Sequence, residues 1–140
     1  MSKVWIPILL GLMCCGCTKE GPDRKETSKV TGQILVDDKP ADMLAVQCHN
    51  TAGVDIAEPT YSACFTDKDG KFALSTYEKG DGVPPGDYVL TFFWGRFISM
   101  RYDGPDKLNK RYEDEKKSEV KFTVVSGQPT DLGQIKLTTK

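Results

Sequence analysis

The sequence predicts an all-β domain, a seven-stranded sandwich, that follows an export signal and a polar tether. Short segments in which apolar and polar residues alternate recur between turn sequences from residue 30 to residue 140, a pattern typical of β-sheets. No long stretch has the helical spacing of apolar residues. Of the 140 residues, 39% are apolar and 28% are charged, which suffices for one hydrophobic core and argues against general disorder.

The first sixteen residues have the features of an export signal. A basic start, 1–3, precedes an apolar run from Val4 to Met13, and the chain turns polar after Cys17. A membrane-spanning helix needs about 20 apolar residues. The run is shorter, and Pro7 interrupts it. The pattern therefore predicts a cleaved signal peptide over residues 1–16, with ordinary secretion as the alternative to lipid attachment.

The stretch from Leu12 to Cys17 (LMCCGC) resembles the lipobox of bacterial lipoproteins, in which small residues precede a cysteine that becomes the lipid-modified N-terminus. The resemblance implies cleavage after Gly16 and lipidation of Cys17, with Cys15 as the second choice. Two or more acyl chains, such as palmitate, form a stable membrane anchor. The expected location is the cell envelope, with the domain facing the periplasm or the exterior. A redox or metal role for Cys14 and Cys17 is disfavoured because no second pair follows.

Residues 17–29 are expected to comprise the lipidated cysteine and a flexible tether. Thr18 to Lys29 contains seven charged residues and no apolar periodicity. A flexible chain of this length averages on the order of 20 Å from end to end. The predicted organisation is therefore a signal over 1–16, a tether over 17–29 and a β-sandwich over 30–140.

Seven strands are predicted in the domain, each bounded by turn sequences. The length of the domain is close to the roughly 100 residues of known seven-stranded sandwiches. They cover 30–36, 43–49, 62–66, 71–74, 86–94, 119–125 and 131–137. Asp67 to Gly70 is expected to form a tight turn with Gly70 at positive φ. The apolar residues expected to face the core are Leu44, Val46, Cys48, Phe72, Leu74, Tyr88, Leu90, Phe92, Trp94, Val120, Phe122, Val124, Ile135 and Leu137.

Several segments of the domain together resemble a known family. They include Val30 to Gly32, Cys64 to Phe72 (CFTDKDGKF) and Thr76 to Tyr88, which ends in PPGDY. They look like those of small bacterial surface lipoproteins with a transthyretin-like (prealbumin-like), or carboxypeptidase-regulatory-like, domain. The resemblance covers residues 28–140 and implies a Greek-key order of strands with no assigned chemistry. Asp38 stands where the family's first turn usually has glycine.

No pattern indicates catalysis, a cofactor or a metal. The single histidine, His49, excludes sites that need two, and its neighbour Cys48 points to the opposite face of the strand. The Asp67–Gly70 turn is not an EF-hand loop, because Phe65 and Thr76 occupy positions that need acidic ligands. A formal charge of −1 argues against a nucleic-acid partner. We therefore expect a protein that is not an enzyme.

Cys48 and Cys64 are the two remaining thiols if Cys17 is lipidated. Export places them in an oxidising compartment, and both lie at apolar-facing positions of successive strands. A disulfide between them would close a loop of about 17 residues and contribute about 3 kcal/mol in the chain-entropy model. Two buried free thiols are the alternative, and a metal site lacks further soft ligands.

The longest strand and the loop after it, 95–118, contain the candidate interaction surface. Loops of this length are often functional. Either the loop folds back and covers the side of the strand away from the core, or its aromatic side chains form a contact surface. A short helix is expected over Pro105 to Asp114, with proline in its first turn. The candidate surface residues are Phe93, Arg96, Phe97, Met100 and Tyr102.

The expected function is that of a lipid-anchored cell-envelope protein with a non-catalytic β-sandwich in a structural, adhesion or protein-interaction role. Its partners would be the membrane, through the N-terminal lipid, and an unidentified envelope protein or glycan. The alternative is a carbohydrate- or peptide-binding module that uses Phe93, Phe97 and Tyr102. A hydrolase that uses Asp67 and His49 is the third hypothesis.

Overall fold

The structure, a computed structural model, describes residues 24–98 and 101–140. The predicted signal, Cys17 and Met100 lie outside the described residues. The described residues form ten strands: β1 (Val30–Val36), β2 (Lys39–Pro40), β3 (Ala45–Asn50), β4 (Ser62–Phe65), β5 (Lys71–Ala73), β6 (Gly86–Phe93), β7 (Arg96–Ile98), β8 (Arg101–Asp103), β9 (Lys121–Val124) and β10 (Thr130–Leu137).

Eight of these strands form two four-stranded sheets. In sheet I, β1 pairs in parallel with β10 on one side and antiparallel with β2 and β5 on the other. Sheet II has the order β4-β3-β6-β9, and all its pairs are antiparallel. Strands β7 and β8 form a separate hairpin. The expected all-β class is confirmed.

One core lies between the two sheets, and it is built by the alternation of each strand. In β1, Val30, Ile34 and Val36 are buried, while the residues between them are partly exposed. Strands β3 and β6 supply the facing layer from sheet II. The buried apolar residues of this core are Val30, Ile34, Val36, Ala41, Leu44, Val46, Cys48, Phe72, Leu74, Val83, Tyr88, Leu90, Phe92, Leu108, Val124, Ile135 and Leu137. Trp94, Val120 and Phe122, which the sequence also placed in the core, are only partly buried.

Each of the seven predicted strands has a counterpart, and the described residues contain three more. The extra strands are β2 and the hairpin β7–β8. Strand β2 forms because Asp37 and Asp38 have φ values of 50° and 65°, the left-handed conformation that a two-residue hairpin turn requires. Aspartate tolerates this conformation better than most residues, so the turn forms without glycine.

The prediction of a short helix over Pro105–Asp114 is wrong, since this segment forms consecutive turns. Asn109 and Lys110 have φ values of 55° and 60°, and a right-handed helix cannot continue through two such residues. The carboxylate of Asp106 instead organises the segment. It accepts hydrogen bonds from the backbone N–H groups of Trp94, Leu108 and Lys110 at 2.9, 3.0 and 2.9 Å. The apolar side chain of Leu108 is thereby fully buried in the core.

The structure places residues 24–29, expected to be tether, against the domain. Ser28 and Val83 exchange two backbone hydrogen bonds of 2.9 and 3.1 Å. Arg24 forms an ion pair with Glu78 at 2.9 Å, and the backbone N–H of Lys25 donates to the Tyr77 hydroxyl. Residues 24–29 are therefore bonded to the domain, and the remainder of the expected tether, 17–23, lies outside the described residues.

Candidate functional site

The aromatic residues expected to form an interaction surface pack largely on one another. The Tyr102 ring meets the Phe93 ring edge to face with centroids 5.7 Å apart, and it meets the Phe65 ring in the same manner at 5.0 Å. Such edge-to-face pairs are favoured by the ring quadrupoles. Arg96 is exposed beside them, and Phe97 lies in β7. The structure therefore brings together two of the candidate residues, Phe93 and Tyr102. Phe65, which was not a candidate, belongs to the same aromatic cluster.

The Tyr102 hydroxyl fastens the β7–β8 hairpin to sheet II. It accepts a hydrogen bond from the backbone N–H of Gly95 at 2.8 Å and lies 3.1 Å from the carbonyl oxygens of both Met43 and Phe93. The pKa of Tyr102 is raised above its ordinary value, mainly because the hydroxyl is partly buried. Of the two alternatives for the loop, the contact of Tyr102 with Phe93 favours the first, in which the loop folds back on the strand, although Phe93 remains partly exposed.

A groove of about 840 Å³ opens beside this aromatic cluster, between β4 and β5. It exists because the chain leaves sheet II after β4, turns at Asp67–Gly70 and joins sheet I as β5. The two segments are joined at one end by a bridge between Ala63 and Ser75 and at the other by the turn, where the Asp67 N–H donates to the carbonyl oxygen of Lys71, and they separate in between. Its size is within the range of small-molecule sites. The lining is mostly apolar and comprises Met43, Cys64, Phe65, Thr66, Asp67, Lys71, Phe72, Ala73, Ser75, Lys79 and Gly80.

The Asp67–Gly70 turn at the end of the groove is structural. One oxygen of the Asp67 carboxylate accepts hydrogen bonds from the backbone N–H groups of Asp69 and Lys71, both at 2.9 Å. Gly70 has a φ of 73°, as the sequence predicted. Because its carboxylate holds the turn, Asp67 is poorly placed to act as a general acid or base.

Cys48 and Cys64 are free thiols in the structure and lie diagonally across β3 and β4. Cys48 faces Ser62 in the register, and Cys64 faces Val46, so the two cysteines share one side of the sheet without being directly opposite. Burial raises the pKa of each thiol to about 12. A disulfide between them stays a prediction.

The two thiols, of which Cys48 is buried and Cys64 partly buried, are expected to react slowly while the protein is folded. A thiol with a pKa of about 12 is almost fully protonated at pH 8, and only the thiolate attacks an alkylating reagent. Iodoacetamide should therefore label reduced, folded protein about 1,000-fold more slowly than the chain in denaturant. Peptide mass spectrometry would assign the labels, and rates within tenfold of each other would contradict the burial. Omitting the reductant shows whether a disulfide exists, because bonded cysteines stay unlabelled even in denaturant.

The same pKa shift makes stability depend on alkaline pH. The unfolded chain loses its thiol protons near the ordinary thiol pKa, whereas the folded protein keeps them until about pH 12. The folded state then binds more protons, so the thiol contribution to stability is complete below about pH 9. It is lost progressively as the pH rises from there towards 12.

His49 lies between a buried hydroxyl and a carboxylate. Its Nε2 is 2.8 Å from Oγ1 of Thr91, and its Nδ1 is 3.2 Å from a carboxylate oxygen of Glu115. This is also the order of groups in hydrolase triads. However, Thr91 is only 3% exposed, and the neighbouring cavity of about 220 Å³ is lined by His49 and Glu115 but not by Thr91. The arrangement therefore holds the 113–118 segment on sheet II and offers no hydroxyl to a substrate.

Sequence analysis missed this role of His49 because Glu115 lies in a loop with no periodic pattern. Within 24–98 and 101–140, no cluster of three or more histidine, cysteine or acidic side chains is placed to hold a metal ion. In the same part of the chain, no helix is long and apolar enough to cross a bilayer.

The comparisons with known proteins add nothing on function. No family model matches the chain, and no curated protein matches it. Among solved structures, it is similar to a 9R-lipoxygenase from Cyanothece PCC8801, with 16% identity and a TM-score of 0.37 over 80% of this chain and 16% of that one. It is also similar to an (S)-allantoin synthase, with 13% identity and a TM-score of 0.41 over 82% of this chain and 42% of that one. The chain thus spans less than half the length of either enzyme, and likenesses this weak carry no argument about activity.

Proposed function

We propose that this protein is a lipid-anchored cell-envelope protein whose non-catalytic β-sandwich has a structural, adhesion or protein-interaction role. The observation that carries the proposal is the sequence itself: an apolar run of ten residues, Val4 to Met13, is followed by a short cysteine-rich stretch that ends at Cys17, and the chain turns polar directly afterwards. An acylated Cys17 would hold the domain at the membrane surface, on the periplasmic or the exterior side.

The attachment of Arg24 and Lys25 to the domain supports this arrangement. Arg24 and Lys25 form ion pairs with the domain, so at most seven residue steps separate Cys17 from a point where the described chain is attached. Seven residues reach at most about 25 Å when fully extended. The domain would therefore stay within about its own diameter of the bilayer, where an adhesion or assembly module can act.

The transthyretin-like, Greek-key form of the sandwich is part of the same proposal. The chain crosses between the sheets from β2 to β3, from β4 to β5, from β5 to β6 and from β9 to β10. Crossings of this kind are typical of Greek-key sandwiches. The non-catalytic role is supported by His49 and Asp67, because both make structural hydrogen bonds.

Lipid attachment is tested by replacing Cys17 with alanine in the full-length chain. We expect the unchanged protein to fractionate with membranes and to begin at an acylated Cys17 in mass spectrometry. The Cys17→Ala protein should lose the acyl mass, and the matched Cys15→Ala protein should keep it. A native protein that begins at Met1 and carries no fatty acid would overturn the proposal.

The groove between β4 and β5 favours a second candidate function, the binding of a carbohydrate or a peptide. Phe93 and Tyr102, expected to serve this role, pack on each other, and Phe65, which also contacts Tyr102, is 46% exposed and lines the groove. An exposed aromatic ring beside an apolar groove can stack on a sugar or hold an apolar side chain. Lys71 and Lys79 supply polar contacts at its margin.

Binding at the groove is tested with an immobilised glycan array and a heptapeptide library. We expect saturable binding of at least one probe, weakened at least tenfold by Phe65→Ala. The matched control is Val125→Ala, because Val125 has a similar exposure of 50% and lies outside the lining of the groove. Equal binding by both variants, or no binding to either library, would exclude this candidate.

A further inference from the structure

The two ends of the sandwich differ, and the N-terminal segment joins one of them. We call this the N-terminal end. Strand β1 begins there at Val30, β3 ends there at Asn50, and β9 ends there at Val124. The β3–β4 loop, 51–61, and the β9–β10 turn, 125–129, therefore both lie at the N-terminal end. The Asp67–Gly70 turn and the β7–β8 hairpin lie at the opposite end.

The exposed apolar side chains are concentrated at the N-terminal end. Five large hydrophobic residues are exposed within the described part of the chain, and four of them lie in the two N-terminal-end loops. Such residues at loop tips cost free energy in water unless they meet an apolar partner. These four, which we call the apolar tip, are Val54 (76% exposed), Ile56 (93%), Tyr61 (65%) and Val125 (50%). The fifth, Phe65, is at the opposite end.

The N-terminal segment is bonded to both loops of the apolar tip. The Lys25 ammonium lies 2.7 Å from the Asp55 carboxylate, between Val54 and Ile56. The Ser28 hydroxyl donates to the carbonyl oxygen of Val125 at 3.3 Å, and the Ser126 hydroxyl donates to the carboxylate of Glu26 at 2.9 Å. The point at which the chain arrives from Cys17 is thus held beside the apolar tip, and the orientation of the domain relative to its N-terminus is set.

We propose that the apolar tip contacts the lipid bilayer that holds the N-terminal acyl chains. This inference rests on the proposed lipid anchor. The seven residue steps from Cys17 to Arg24 reach at most about 25 Å, so the face from which the chain emerges is the face turned to the membrane. Valine and isoleucine side chains then enter the interfacial layer, and tyrosine is suited to the headgroup level because its ring is apolar and its hydroxyl is polar.

The charges around the apolar tip are compatible with this contact. Asp55 is paired with Lys25, and Glu58 lies 3.9 Å from the same ammonium. The hydrogen bond between Lys25 and Asp55 is the main reason why the pKa of Lys25 is raised and that of Asp55 is lowered, and both groups therefore stay ionised. Pairing reduces the cost of bringing these groups to the headgroup layer. A zwitterionic surface therefore suffices, with no requirement for anionic lipid.

The contact is tested by tryptophan quenching in vesicles. Full-length Ile56→Trp protein is purified from membranes and reconstituted into phosphatidylcholine vesicles with brominated acyl chains. The matched control is Lys68→Trp, an exposed position in the turn at the opposite end. We expect brominated lipid to quench the emission of Ile56→Trp at least twofold more than that of Lys68→Trp, with Trp94 as a common background.

The possible outcomes separate the contact from the anchor. If both variants float with the vesicles and are quenched equally, the bilayer contact is overturned while the anchor stands. The Ile56→Trp emission could instead be unaffected by brominated lipid but shift in wavelength as the protein-to-lipid ratio rises. That result would assign the apolar tip to contact with a second copy of the chain, which also overturns the bilayer contact. If neither variant floats with the vesicles, the anchor fails and the inference fails with it.

Discussion

Replacing Thr66 with valine is expected to destabilise the folded domain by about 2–4 kcal/mol, although the two side chains have nearly the same shape. Thr66 is only 2% exposed. Its hydroxyl accepts a hydrogen bond from the backbone N–H of Leu44 at 2.9 Å and donates one to the carbonyl oxygen of Ala41. Valine would leave both backbone groups buried without a partner, and each such group costs about 1–3 kcal/mol.

The expected loss is large because this hydroxyl supports the segment that connects the two sheets. Ala41 and Leu44 lie between β2 of sheet I and β3 of sheet II, and both side chains are fully buried. Urea unfolding would show the effect as a lower midpoint with an unchanged slope. The matched variant, Thr66→Ser, keeps the hydroxyl and should lose much less. A Thr66→Val protein as stable as Thr66→Ser would contradict this account.

Replacing Gly82 with alanine is expected to lower the free energy of unfolding by about 3–5 kcal/mol. Alanine disfavours the left-handed backbone conformation at this position, its Cβ atom would clash with Ser28, and the two hydrogen bonds between Ser28 and Val83 would be weakened. Gly82 has a φ of +96°, and a Cβ atom there would lie 1.8 Å from the carbonyl oxygen of Ser28. That oxygen accepts the hydrogen bond of the Val83 N–H at 3.1 Å. The N-terminal segment would therefore have to move away from Val83.

Gly53→Ala is the matched control for this substitution. Gly53 has a φ of +89°, and a Cβ atom there would meet nothing within 4 Å, so alanine adds only the backbone cost of about 1–2 kcal/mol. Urea unfolding measures both variants, and brief trypsin digestion reports whether the bonds after Arg24, Lys25 and Lys29 become accessible. Equal destabilisation, with equal cleavage in this segment, would show that the close approach of Gly82 to Ser28 is unimportant.

The strands whose bounds the sequence predicted best are those delimited by a clear turn sequence. The predicted bounds of β1, 30–36, agree with the structure, and β6 and β10 are within one residue of it. Turn sequences are local signals, because aspartate, glycine and proline favour turn conformations for reasons of their own covalent structure. Strand β2 was missed because a strand of two residues is too short to show an alternating pattern of apolar and polar residues.

The candidate site was predicted less well, because its geometry depends on residues that are distant in sequence. Phe65 was not among the candidates, since a single aromatic residue at a strand end looks like any other strand residue. Only the fold brings it to Tyr102, at 5.0 Å, and opens the groove beside it. His49 and Glu115 likewise meet only because the 113–118 segment lies on sheet II. Residues 24–29 resemble a tether in composition, but complementary partners in the fold hold them.

By itself, the sequence determined the all-β class, the positions of the main strands and most of the residues that fill the core. These follow from side-chain alternation and turn chemistry, which act over a few neighbouring residues. Only the tertiary structure decided that Tyr102 packs on Phe93, that the N-terminal segment docks beside Val83, and that four exposed apolar side chains lie at one end. Those features depend on which surfaces the two sheets bring together, and no local pattern encodes that choice.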